Sequence, residues 1–316
     1  MSILTICILN CFEQQVSQSP LDICLKAKIK PSLSDIFHII THIVEEASRM
    51  KTNNRLGSIL AVVGSLLGIF GTYLIFLNWY TPALTAEAAE PGCEILLKYL
   101  MPALSDFGLL AGVLYAVGAY GFFTSRTWAF PVAVIANMLA IQGSWFINVP
   151  FMAASMPPIY FTIFIPNLVI YFILTKVVGN LTWSRTLLGL LAGGAFILCF
   201  MNGVASWSRI LTIGDHIFVA VQRLNWVAFI GWGVVTGGIL LSPKPWTRVL
   251  GLAAGFLELV VGIPLAVSTT ISLGRFSMFS LGPIVSFILL VILIWPNLWE
   301  RLTAPTEEVK LATQAA

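Results

Sequence analysis

From Gly57 to Trp295 the chain alternates long apolar runs with short polar breaks, and this pattern repeats eight times. A bilayer core of about 30 Å needs about 20 apolar residues per crossing helix. The runs are continuously apolar rather than alternating, which argues against a β-barrel. They predict an all-α, polytopic transmembrane bundle with spans at 57–77, 104–123, 128–148, 159–177, 186–206, 217–241, 249–271 and 277–296. The sixth run is too long for a straight crossing, so it tilts or its first turns lie in the interface.

The breaks set the orientation. With the start of the first span on the cytoplasmic side, that side carries Lys51, Arg55, Arg126, Lys176, Arg185, Lys244, Arg248, Arg301 and Lys310. The other side carries Lys98, Arg209 and Arg275, and the longest outer loop holds Glu87, Glu90 and Glu94. The positive-inside rule then places both termini in the cytoplasm. The first, fifth and seventh spans begin with similar strings after Arg55, Arg185 and Arg248. Convergence is the favoured explanation over a repeat, because any helix starting on the basic side needs such a flank.

Composition sharpens the same picture. The chain is 58% hydrophobic and 10% charged, against about 25% charged in soluble domains. Basic residues sit at span ends and form no stripe, so nucleic acid is not an expected partner. The expected partners are the lipid bilayer and, for a complex subunit, another membrane protein or a second copy. Residues 1–49 look unlike the rest. The run Ile3–Phe12 lacks the flanks of a signal peptide and is too short to span. Glu45-Glu46-Ala47 can be encoded by a purine-rich stretch resembling a ribosome-binding sequence shortly before the Met50 codon. Met50 is therefore expected to be the start of a prokaryotic plasma-membrane protein, with 1–49 an upstream extension or a disordered tail. Residues 50–302 form one membrane domain, and 303–316 a short polar cytoplasmic tail.

Candidate chemistry lies in the polar residues inside the runs, which are costly in lipid and default to functional hypotheses. Counted from the basic flanks at 1.5 Å per residue, Glu258, Asn137, Asn167, Tyr115, Ser65 and Trp232 all fall about 13–16 Å deep, near the midplane. Glu258 shares a helix face with Gly251, Gly255 and Gly262, and small residues mark helix contacts in membranes. It should face the bundle, where a carboxyl able to gain and lose a proton suits a proton-coupled carrier. The competing reading is structural: a permanently neutral acid bonded to a neighbour such as Asn137. Pro166 removes a helical N–H beside Asn167. A second, outer polar layer holds Arg223, Asp215, His216, Asn202, Gln142 and Asn225. It reads either as an anion-attracting mouth or as an interfacial anchor.

Nucleotide, haem, thiol-redox and hydrolase motifs are absent from the sequence, and the cysteines have no metal-ligand spacing, so no cofactor or metal is expected. Cys199 lies among apolar neighbours and reads as inert; Cys93 is expected in a loop. The leading expectation is a transporter or channel-like protein for a small solute, proton-coupled through Glu258. A non-catalytic subunit or assembly factor of a membrane complex is the alternative. A membrane enzyme acting on a lipid-linked substrate through Asp215, His216, Arg223 and Asp106 is the third.

Overall fold

The computed structural model describes residues 52–89, 93–212, 216–274 and 276–304. Residues 1–49, Asp215, Arg275 and most of the polar tail lie outside them. Among the described residues the chain is helical, with no strand. Among the described residues seven helices are long and apolar enough to cross a membrane, or eight if the helix pair Met278–Ile294 and Pro296–Thr303, bent by 98°, counts as one span. The chain is a multi-pass helical membrane protein.

The helices are α1 (Asn54–Leu66), α2 (Thr72–Glu87), α3 (Cys93–Phe123), α4 (Ala129–Trp145), α5 (Asn148–Ala153), α6 (Phe161–Ile173), α7 (Trp183–Thr212), α8 (His216–Leu241), α9 (Pro245–Leu273), α10 (Leu281–Ile294) and α11 (Pro296–Thr303). A π-helical turn, Leu67–Gly71, joins α1 to α2 in one continuous span, and another, Leu174–Val178, extends α6. Such turns widen a helix by one residue and mark local adjustments in packing.

Local sequence explains the ends. The Asn53 side chain accepts a hydrogen bond from Leu56 N–H at 3.2 Å and caps α1. Pro245 opens α9, where its missing N–H costs nothing, and Gly274 closes it at φ 63°. Trp295 is extended before Pro296, and the chain turns by 98° there.

Helices overrun the hydrophobic stretches that predict them. The expected outer loop is largely helical: α2 continues through Glu87, which is buried, and α3 starts at Cys93, which therefore opens a helix rather than lying in a loop. Hydropathy locates the lipid core, whereas helices continue through the interface for as long as no breaker intervenes.

Packing follows chain order. In the first half α1 packs on α3, α3 on α4 and α4 on α6, with α6 returning to α1 to close a ring; α7, α8, α9 and α10 form a second ring, closed by α10 against α7. Contacts between the rings are sparse and run mainly from α3 and α4 to α7 and α8. In the first ring, a Cβ at Gly68 would fall 2.6 Å from the Gly112 Cα. Glycine is required there, because backbone meets backbone.

The second ring contains a repeated fastening. Arg185, at the start of α7, donates through Nε and Nη2 to the Ile239 and Leu240 carbonyls at the end of α8, at 2.6 and 3.1 Å. Arg248, at the start of α9, donates in the same way to the Leu293 and Ile294 carbonyls at the end of α10, at 2.7 and 3.1 Å. Each guanidinium satisfies carbonyls that have no helical partner and sits at the negative end of a helix dipole. The similar strings after Arg185 and Arg248 thus perform the same task in successive hairpins. Arg55, the third member of the set, is exposed and has no such role.

Candidate functional site

Two buried polar centres occupy the two rings, one in each. In the first, Asn137 on α4 donates through Nδ2 to the Tyr115 hydroxyl on α3 and to the Asn167 carbonyl on α6, both at 2.8 Å. Tyr115 donates to Asn167 Oδ1 at 3.3 Å, and Asn167 Nδ2 reaches the Ile163 carbonyl at 2.9 Å. These three sequence-predicted residues come together, all essentially without solvent contact. The cluster ties three helices by neutral hydrogen bonds, each worth about 1 kcal/mol in a membrane.

The second centre is built on Glu258. Its helix face carries the glycines seen in the sequence, and each receives a bulky neighbour: Leu293 against Gly251, Leu290 against Gly255, and Pro283 against Gly262. Glu258 is fully buried on this face. Its Oε1 accepts from Asn202 Nδ2 on α7 at 2.9 Å. The same amide reaches the Phe279 carbonyl at 3.4 Å. Phe279 stands four residues before Pro283, which has no N–H to return that bond, so the Asn202 amide supplies a substitute donor. A Cβ at Gly282 would lie 2.5 Å from Glu258 Oε1 and 2.7 Å from Asn202 Nδ2. The carboxyl therefore fills a notch that only glycine leaves open.

Several expectations change here. Asn137 does not partner Glu258; the two lie in different rings. Asn202 is not part of an outer layer but the direct partner of Glu258. Depth counting places the Asn202 Cα about 10 Å further out than that of Glu258, but the Glu258 side chain reaches a turn outward to the level of Gly262 and Gly282, and helix tilt takes up the rest. Cys199 is not an isolated apolar filler, because its thiol adjoins the Glu258 carboxyl. Ser65 is half-buried on α1 and makes no hydrogen bond to either centre. Trp232 is fully buried in the second ring, and its Nε1 has no partner.

The outer layer does not form a single site among the described residues. Gln142, Asn202 and Asn225 are buried, whereas Arg223 and His216 are exposed, and Asp215 lies outside the described residues. No group of three or more His, Cys, Asp or Glu side chains with metal-binding geometry occurs among the described residues.

A cavity of about 320 Å³ lies between the two rings. Asn137 and Leu168 border it from the first ring, and Gly193, Gly194 and Thr236 from the second. Its wall is apolar apart from a few groups such as Asn137 and Thr236. A Cβ at Gly194 would meet nothing within 4 Å, so the missing side chain contributes directly to the space. Glu258 does not line it. Comparison with protein families, with characterised proteins and with solved structures finds no match.

Proposed function

We propose that this protein is a carrier for a small solute in the plasma membrane of a prokaryote, with both termini in the cytoplasm and transport coupled to protonation of Glu258. The observation that carries this reading is the cavity between two four-helix rings at the depth of Asn137. Carriers built from paired helical halves commonly bind solute near the midplane, where the halves meet. The apolar wall suits a solute with few polar groups, and Asn137 and Thr236 offer it hydrogen bonds.

Glu258 supplies the coupling. It faces no basic side chain among the described residues, so its charge in lipid is offset only by hydrogen bonds or by a proton. Protonation would neutralise the group within the ring that forms one wall of the cavity. A change in its contacts with Asn202 and α10 would then bias how the second ring packs against the first. Tyr115, Asn137 and Asn167 hold the opposite wall.

The experiment uses proteoliposomes with entrapped pyranine, challenged with a panel of small neutral and amine solutes. The expected result is that at least one solute changes interior pH through the wild type and none does so through Glu258→Gln. Absence of any solute-linked pH change in the wild type, or an equal change in Glu258→Gln, overturns the reading.

A further inference from the structure

The second ring holds more unpartnered polar atoms than its hydrogen bonds explain. Glu258 Oε2, Asn202 Oδ1 and Ser286 Oγ are each buried with no hydrogen-bond partner. Native interiors rarely leave such groups unmet, and each one calls for an explanation. Unmet atoms occur in both rings, but these three belong to the Glu258–Asn202 pair and to the next polar residue along α10.

Helix register brings them to one level. Along α9 and α10, Gly255 faces Leu290 and Gly262 faces Pro283. Glu258 lies between these two contacts, and on α10 the inward residue between Leu290 and Pro283 is Ser286, fully buried one turn from Gly282. Gly282 itself abuts both Glu258 Oε1 and Asn202 Nδ2. Ser286 is therefore the next polar group along α10 from the carboxyl–amide pair. The Phe279 carbonyl, one turn the other way, keeps a second lone pair beside its bond from Asn202.

All of these atoms are hard oxygens, the ligand type that suits hard cations rather than thiophilic metals. One carboxylate is present and no second acid faces it. A divalent ion would leave a net positive charge buried in lipid, whereas a monovalent ion leaves none. The geometry points to a site for a sodium-sized monovalent cation, held by Glu258, Asn202, Ser286 and the Phe279 carbonyl in place of the proton on Glu258. This deepens the carrier reading by naming a coupling ion, and it rests on Glu258 being the group that exchanges.

Sodium and proton then compete for one carboxylate. The other titratable side chain facing Glu258 among the described residues is the Cys199 thiol on α7. From α8 and α10 no charged group faces it.

The test is the thermal unfolding midpoint of the purified full-length chain in detergent, in equal concentrations of sodium, potassium or choline chloride. Sodium should raise the wild-type midpoint by several degrees over choline, and potassium by less. The rise should shrink as pH falls, disappear in Glu258→Gln, and need higher sodium in Ser286→Ala. An equal midpoint in all three salts overturns the proposal, as does a sodium rise that persists in Glu258→Gln. So does a rise unchanged by pH, a reading that needs only the wild type. Sodium-independent midpoints together with intact pH-linked solute flux remove the sodium site alone. Sodium binding without any solute flux removes the carrier reading alone.

Discussion

Gly282→Ala is the sharpest test of the Glu258 centre. The added Cβ would fall 2.5 Å from Glu258 Oε1 and 2.7 Å from Asn202 Nδ2, about 0.7 Å or more inside ordinary contact distance. Neither neighbour is a free chain end. Asn202 is held between the carboxyl and the Phe279 carbonyl, and the same carboxyl oxygen also lies against Gly262, 2.8 Å from where a Cβ there would sit. Relief therefore breaks the 2.9 Å bond or moves α10. Losing a buried hydrogen bond costs about 1–3 kcal/mol, and overpacking costs about 1–3 kcal/mol. Against these stands a gain of about 1 kcal/mol for replacing a helical glycine by alanine. The net loss is about 1–5 kcal/mol, which lowers the unfolding midpoint by several degrees. Gly237→Ala is the control, because a Cβ there meets nothing within 4 Å, so only the propensity gain remains. The assay is the detergent-solubilised unfolding midpoint of both variants, repeated in an Asn202→Ala background. The Gly282→Ala cost should shrink in that background, where the amide is gone, as coupled neighbours require. A Gly282→Ala midpoint equal to that of Gly237→Ala refutes the contact. A cost undiminished by Asn202→Ala assigns it to backbone crowding instead.

Three further outcomes follow from the same geometry. Tyr115→Phe removes the hydroxyl shared by Asn137 and Asn167 and should lower stability by about 1 kcal/mol, measured as a small fall in unfolding midpoint. Arg185→Gln should destabilise more than Arg248→Gln, since Arg185 is buried and its two carbonyl partners lie deep in the bundle; the loss for Arg185 is about 2–3 kcal/mol, read by the same melts. Gly194→Leu should leave the unfolding midpoint near the wild-type value while filling the cavity, so it should abolish solute-linked pH change in proteoliposomes.

Much of the architecture was legible because lipid imposes one strong rule: every crossing must be a long apolar helix. The run from Arg248 to Ile271 announced both a span and, through Gly251, Gly255 and Gly262, the face on which Glu258 points inward. Asn137, Tyr115 and Asn167 were legible as a set because their equal depths survive in the fold. Partner identity was not legible. Depth counting works along each helix axis and says nothing about which helices adjoin, so it joined Asn137 to Glu258 across two rings and separated Asn202 from Glu258 within one. It also treats a side chain as a point at its Cα, which fails for a glutamate that reaches a full turn along its neighbours. The α2–α3 connection was misjudged for a different reason. Residues such as Glu87, Glu94 and Lys98 lower hydropathy without breaking a helix.

The two centres differ in a way that assigns them different work. In the first ring, Asn137, Tyr115 and Asn167 are neutral and donate mainly to one another, so the cluster loses its bonds if α3, α4 and α6 separate. That arrangement favours a rigid wall. In the second ring an acid replaces the amide at the centre, with one satisfied and one unsatisfied oxygen; unmatched atoms as such occur in both rings, Asn137 Oδ1 and Ser286 Oγ among them. If Glu258 exchanges a proton, as proposed, this centre has two states of differing charge, and its packing against α10 depends on which state is present. Small shifts in a bistable contact are amplified by close-packed helices rather than absorbed. Movement should therefore concentrate in α9 and α10, about the Glu258 notch, while α3 and α4 stay fixed. Hydrogen exchange on the purified protein at high and low pH reads this directly: protection should change in the second ring and hold in the first. A uniform change across both rings would mean that Glu258 is a structural tie like Asn137, and that the cavity between the rings is not governed by it.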